Sequence, residues 1–175
     1  MVLTYLDESG FAPTCPVSYS WSRVGERKRV TFENSEGRRL NLIAALDKTG
    51  PAPGIYWVTK PKPFLAEEFV RFLHALPVVQ VPRVVVIDNG SLHKNATARA
   101  AMPELWKHRI YLYYLPPYSP ELNDIEPFFR HLKHNEMPER SYRSIPDLKD
   151  AVDHGLTNME DALIAKCQPY PRLAA

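Results

Sequence analysis

The run Val84-Val-Val-Ile87, four β-branched apolar residues bounded by Pro82 and by Asn89-Gly90, constrains this chain more than any other stretch. Branching at Cβ favours a pleated backbone, and an unbroken apolar run means burial on both faces, as in the centre of a mixed or parallel sheet. The run stops on Asp88. In open α/β sheets ligands collect outside the carboxyl ends of the strands, because side chains there leave the core while the scaffold still holds them. Asp88 is therefore a candidate ligand or catalyst, with a plain Asp-Asn-Gly turn as the alternative.

Around that strand the periodicity changes along the chain. Val2-Leu-Thr-Tyr-Leu6 reads as a strand that also ends on a carboxylate, Asp7, before Glu8-Ser-Gly10. Residues 19–25 read as an irregular segment anchored by Trp21. Residues 28–33, 40–46 and 54–59 read as three further strands joined by short connections, which implies antiparallel pairing. From Phe64 the spacing becomes helical, with Phe64, Leu65, Phe69, Phe72, Leu73 and Leu76 recurring at three- and four-residue intervals and Pro77 closing the pattern. Residues 93–107 form a weaker helix, 110–115 a strand stopped by Pro116-Pro117, and Ile125, Phe129 and Leu132 the stripe of another helix, with Pro127 at an early position where its missing N–H is harmless. A last helix spans 145–166, followed by a loose tail at 169–175. The order predicts one α/β domain over residues 1–168, a mixed sheet of three or more antiparallel strands and then parallel strands, flanked by helices.

Composition narrows the function classes. A chain of 175 residues, 45% apolar, closes one core. Net charge is +2, so nucleic-acid binding would have to come from local patches. One such patch lies at 23–39, with Arg23, Arg27, Lys28, Arg29, Arg38 and Arg39 against three Glu. A solvated hairpin face would look similar. Cys15 and Cys167 are too isolated for a disulfide framework or a zinc site, and no apolar run has the length of a membrane span, so a soluble intracellular protein with reduced thiols is expected. Trp21, Trp57 and Trp106 are read as core residues.

Three carboxylates stand out by position. If the first strand and the Val84 strand are parallel neighbours, Asp7 and Asp88 face each other across about 5 Å. Glu126 lies near the start of the helix after Ser119-Pro120, and Arg130 and Lys133 follow it at i+4 and i+7, away from the apolar stripe. Oxygen ligands of this kind suit Mg²⁺ or Mn²⁺. Glu8, Glu121 and Asp124 are alternative ligands. Asn89 is a phosphate contact or turn chemistry, and His93 caps the following helix or approaches phosphate.

The blocks Leu6-Asp-Glu-Ser-Gly10, Ile87-Asp-Asn-Gly-Ser-Leu-His93 and Pro116-Pro-Tyr-Ser-Pro-Glu-Leu-Asn-Asp-Ile-Glu126 resemble the three catalytic blocks of DDE transposases of the insertion-sequence-630 family, within the mariner-like superfamily. Trp21-Ser-Arg-Val-Gly25 resembles a further block. The resemblance spans about residues 3–133, with Asp124 where the family usually has proline. It implies a ribonuclease H-like fold, Asp7, Asp88 and Glu126 as a triad holding a pair of Mg²⁺ or Mn²⁺ ions, and cutting of DNA at transposon ends with joining of 3′-OH ends to target DNA. Candidate DNA contacts are Arg23, Arg27, Lys28, Arg29, Asn89, His93, Arg130 and Lys133. Further expectations are a homodimer, a separate N-terminal helix-turn-helix module, and a cytoplasmic, nucleoid-associated location in a bacterium without membrane contact. A ribonuclease H-like nuclease that only hydrolyses, and an inactive nucleic-acid-binding remnant, are the alternatives.

Overall fold

The computed structural model describes residues 1–15, 21–49, 53–117 and 119–167. Tyr19, Ser20, Tyr118 and the tail expected to be loose lie outside the described residues. Strands β1 (Val2–Phe11), β2 (Leu40–Asp47) and β3 (Gly54–Lys60) make an antiparallel meander. Strand β4 (Arg83–Ile87) pairs with β1 in parallel, and β5 (Ile110–Tyr114) pairs with β4 in parallel, so the sheet runs β3-β2-β1-β4-β5. The β-branched run thus has a strand on each side, as its unbroken apolar character requires.

Two helical layers cover the sheet. Helices α1 (Ala66–Ala75), α2 (Ser91–Lys94) and α3 (Ala96–Lys107) lie on one face, where Phe69, Phe72 and Leu73 pack against Leu6, Ile43, Val85 and Ile87. Helices α4 (Ile125–His131) and α5 (Ile145–Cys167) lie on the other, where Ile125, Phe129, Leu148, Val152 and Leu156 pack against Leu40, Leu42 and Ala44. A ten-residue helix such as α1 is marginal alone. Burying its three large apolar side chains contributes on the order of 2 kcal/mol each, so packing rather than propensity holds it.

Four expectations are corrected. Residues 28–33 form no strand: residues 21–32 are exposed, and Val30 and Phe32, the only large apolar side chains in that alternation, find no sheet to face. Trp21 is 97% exposed and anchors nothing, Trp106 is 53% exposed, and Trp57 packs at the core margin with its indole N–H donating to Asp153 at 3.1 Å. The helix expected over 93–107 is broken, because Asn95 caps a new helix by accepting the Ala98 N–H at 2.8 Å. Helix α4 passes into a π-helical turn, Leu132–Glu136, which alters the spacing beyond His131.

At the amino end of β4 the structure buries a charge that the sequence reading passed over. Arg83 is 1% exposed and donates to Thr4 Oγ1 at 2.7 Å, to Asp47 and to the Pro77 carbonyl at 3.1 Å. This network ties together β1, β2 and β4 at the pole away from Asp88.

Candidate active site

Strands β1 and β4 pair in the register Leu3↔Val84, Thr4↔Val85 and Tyr5↔Val86. Carried two residues further, that register sets Asp7 beside Asp88. Asp7 does not end β1, as the sequence reading supposed: β1 continues to Phe11 against β2, with Asp7 opposite Ala44. The rim arises because β4 stops at Ile87, so β1 loses its neighbour on that side only.

Alternation then assigns the faces. Leu6, Val85 and Ile87 belong to the core under α1 and α3, whereas Tyr5 and Phe11 belong to the core under α4 and α5. Asp7 therefore points to the α4 side and Glu8 to the opposite side, while Asp88, one residue past β4, sits at the rim between them, lining the cleft with Glu126 and meeting His93 on the α1 side. Asn123, 2% exposed, precedes α4, and its Nδ2 donates to Asp7 Oδ2 at 3.3 Å. The Glu126 N–H donates to the Asn123 carbonyl at 3.0 Å, which opens the helix directly beside that residue. Asp88, Asn123, Ser119 and Glu126 line one cleft of about 470 Å³.

Electrostatically the cleft is unbalanced. Burial, opposed by the Glu8 N–H bond and reinforced by the charges of Glu8 and Asp88, pushes the Asp7 carboxyl up to about 7. Among the described residues, no three His, Cys, Asp or Glu side chains are gathered closely enough to hold an ion. Like charges repel, so a cation between Asp7 and Asp88 would relieve the repulsion that helps to raise the Asp7 pKa. The donors do fit a hard divalent ion. They are all oxygens, and Asn123 Oδ1 is buried without a hydrogen-bond partner beside Asp7.

The remaining candidates divide. His93 is 1% exposed, with Nδ1 2.8 Å from Asp88 Oδ1 and Nε2 3.0 Å from Glu8 Oε1, so its ring faces two carboxylates and no solvent. Burial opposes its protonation, but the bonds and charges of Glu8 and Asp88 outweigh that and raise its pKa. Asn89 donates to the Leu115 carbonyl, linking the ends of β4 and β5. Asp124 pairs with Lys48 at 2.6 Å, which offsets the charge it brings to the third block. Glu121 and Arg130 are exposed. Lys133 lies over the Phe11 ring at 5.0 Å, and burial followed by the nearby Arg39 lowers its pKa, so it is not simply a member of the Glu126 face. Arg23, Arg27, Lys28 and Arg29 are exposed on the segment before β2, with Lys28 paired to Glu139. Glu8 and Asn123 are the site residues that sequence reasoning undervalued. For Glu8 the available signal was parity: a residue adjacent to Asp7 on a strand must face the other side, where the helix after Asp88 lies.

A mixed sheet in this order, covered by helices on both faces, with acidic side chains where its first and fourth strands part, is the ribonuclease H-like architecture of integrase and transposase catalytic domains. The chain belongs to the DDE superfamily endonucleases, whose family profile matches residues 2–149. Among solved structures it is similar to a Mos1 transposase paired-end complex with left transposon end, at 18% identity and a TM-score of 0.66, covering 94% of this chain and 50% of that one. The catalytic domain of Mos1 mariner transposase gives 14% identity and a TM-score of 0.60, over 94% of this chain and 74% of that one. A simian T-cell lymphotropic virus intasome gives 12% identity and a TM-score of 0.56, over 99% of this chain and 56% of that one. Mos1 paired-end complexes are also known with Mn and with Mg. The chain thus spans about half the length of the first of these transposase chains. No curated protein sequence matches it.

Proposed function

We propose that this domain is the catalytic part of a DNA transposase of the insertion-sequence-630 type, which cuts DNA at transposon ends and joins the freed 3′-OH to target DNA. One observation supports the reading: in a DDE endonuclease domain, the β1–β4 register, extended two residues past its last pair, points Asp7 toward Asp88, and Asp88 and Glu126 line one cleft. Those three residues would hold a pair of Mg²⁺ or Mn²⁺ ions, in keeping with the metals of the Mos1 complexes. Bound there, the ions lower the pKa of a nucleophilic water and neutralise charge at the scissile phosphate.

The protein's own groups supply position. Asn123 restrains Asp7 through its amide, and the backbone turn from Asn123 into α4 carries Glu126 to the cleft that Asp88 also lines. Asp7, burdened by burial and by two neighbouring carboxylates, is the group that gains most from a cation. Arg23, Arg27 and Arg29, exposed before β2, would meet DNA phosphates, in a cytoplasmic, nucleoid-associated homodimer acting on two ends together. Among the described residues no helix is long and apolar enough to cross a membrane.

The test incubates supercoiled plasmid, and separately oligonucleotides with a free 3′-OH, with the protein and Mn²⁺. Nicking and strand-transfer products are expected from the wild type. Asp88→Ala and Glu126→Ala should abolish both while leaving the circular-dichroism spectrum unchanged, because both side chains line a solvent-open cleft. Wild-type activity in Asp88→Ala refutes the assignment, and nicking without any joined product favours the hydrolytic reading.

A further inference from the structure

Asp88 is half exposed at the end of a strand, where a carboxylate ordinarily samples several rotamers. Here one of its oxygens is occupied. Oδ1 accepts the Gly90 N–H at 2.8 Å and meets His93 Nδ1 at 2.8 Å, while Oδ2 has no hydrogen-bond partner among the described residues. The ring that makes this contact is itself fixed. His93 packs against Phe69 with ring centroids 4.8 Å apart, its backbone carbonyl accepts the Tyr114 hydroxyl at 2.9 Å, and its Nε2 is 3.0 Å from Glu8 Oε1.

We infer that Glu8 and His93 form a bracket that positions Asp88, fixing Oδ1 and leaving Oδ2 directed to the ligand site. The inference rests on the proposed function, since it assigns a role toward the metal-holding carboxylates. The bracket spans a gap in the scaffold. The paired β1–β4 register is recorded as far as Tyr5↔Val86, and beyond it no ladder fixes the separation of Asp7 and Asp88. Glu8 is bonded in sequence to Asp7, and His93 is anchored in α2, so the Glu8–His93–Asp88 chain ties the end of β4 back to the middle of β1 from the α1 side of the sheet. Parity makes this possible: Asp7 faces the ligand and Glu8 faces the support. Gly90 belongs to the same device. A Cβ there would lie 2.9 Å from Asp88 Oδ1 and 3.6 Å from His93 Nδ1, so any larger residue presses into the bracket. Glu8 and His93 are positioning residues, not catalytic ones, because the His93 ring is buried and Glu8 reaches Asp88 only through it.

Support of this kind typically changes metal affinity by about 10- to 100-fold. The test is Mn²⁺ titration by calorimetry of wild type, Glu8→Ala, Glu8→Gln, Gly90→Ala and His93→Ala, each first checked for a cooperative thermal transition. Plasmid nicking is measured in parallel. Glu8→Ala and His93→Ala should weaken Mn²⁺ binding by about 10-fold or more and lower kcat with little change in KM for DNA. Glu8→Gln retains an oxygen that accepts from Nε2 and should stay within about threefold of wild type, a rescue that general loss of packing would not give. Gly90→Ala keeps every charge and should still weaken binding. Since His93→Ala also opens a cavity, Glu8→Ala and Gly90→Ala decide the matter if it fails to fold. Folded Glu8→Ala and Gly90→Ala that bind Mn²⁺ as wild type does, in a wild type that binds and nicks, overturn the bracket alone. A wild type that neither binds Mn²⁺ nor nicks DNA overturns the proposed function, and the bracket with it.

Discussion

Asp7 is held by burial and by the charges of Glu8 and Asp88 at a pKa of about 7, against an ordinary 3.8. Its folded form therefore keeps a proton that the unfolded chain has released, so between about pH 4 and pH 7 the folded state loses stability as pH rises, and above about pH 7 the loss is complete. A shift of that size corresponds at face value to about 4 kcal/mol, and partial solvent access reduces it to on the order of 2 kcal/mol. Without divalent cations, Asp7→Asn should raise the melting temperature at pH 8 and have little effect near pH 4. An equal change at both pH values would contradict the buried-charge account. Mn²⁺ at pH 8 should stabilise the wild type and fail to stabilise Asp7→Asn. Much at this scale was legible in the sequence: a carboxylate after each of two apolar runs, and a third at the start of a helix, name positions without any coordinates. The bonding of His93 was not, because a histidine five residues after Asp88 serves as a helix cap, a phosphate contact or a buried support equally well in sequence. Only the neighbouring strand's Glu8 decides among these.

The elements that carried a strong period were readable and the weakly patterned ones were not. Helix α1, strand β4 and helix α5 fall close to the residues their periodicity marks, since each must bury one stripe or both faces. Residues 28–33 failed because alternation states only that a strand could form, and pairing needs a partner the fold does not provide. Arg83 shows the converse. It reads as a polar boundary to an apolar run, yet it is fully buried against Asp47 and Thr4 and holds the amino ends of β1 and β4 beside the carboxyl end of β2. Removing one partner of such a pair leaves the other charge buried and unpaired, so Asp47→Ala should lower the free energy of unfolding by about 3–5 kcal/mol. Replacing both partners, Asp47→Ala with Arg83→Met, should recover a large part of that loss. Urea denaturation measures it, and a single-variant cost below about 1 kcal/mol would show that water already reaches the pair. Mn²⁺ affinity should stay unchanged in whichever variants fold, because this network lies at the other end of the strands from Asp88.

For the whole molecule, the distribution of charge and of helices sets what DNA it can grip. Net charge is +2, and the exposed cations before β2, Arg23, Arg27, Lys28, Arg29 and Arg39, are few. Lys28 pairs with Glu139 and Arg39 lies against Gly10, so Arg23, Arg27 and Arg29 remain as the phosphate contacts. Each phosphate neutralised contributes a slope of about −0.9 to the dependence of log affinity on log salt, so three contacts give about −2.7. Dissociation constants at physiological salt should then fall in the non-specific range of about 10⁻⁴ to 10⁻⁶ M. Reading sequence further requires an element that reaches base edges in a groove. Helices α1 and α3 bury their apolar stripes on one face of the sheet, and α4 and α5 on the other, so none of these is free to lie in a major groove along its length. These 175 residues alone should therefore bind DNA weakly and with little sequence preference, and Arg23→Ala, Arg27→Ala and Arg29→Ala combined should flatten the salt slope by about 2 to 3. Fluorescence anisotropy across a salt series gives the slope, and selection from random DNA gives the preference. A tight, salt-resistant consensus recovered with this chain would mean that one of the covering elements reaches bases after all, and the account of weak, sequence-tolerant binding would fall.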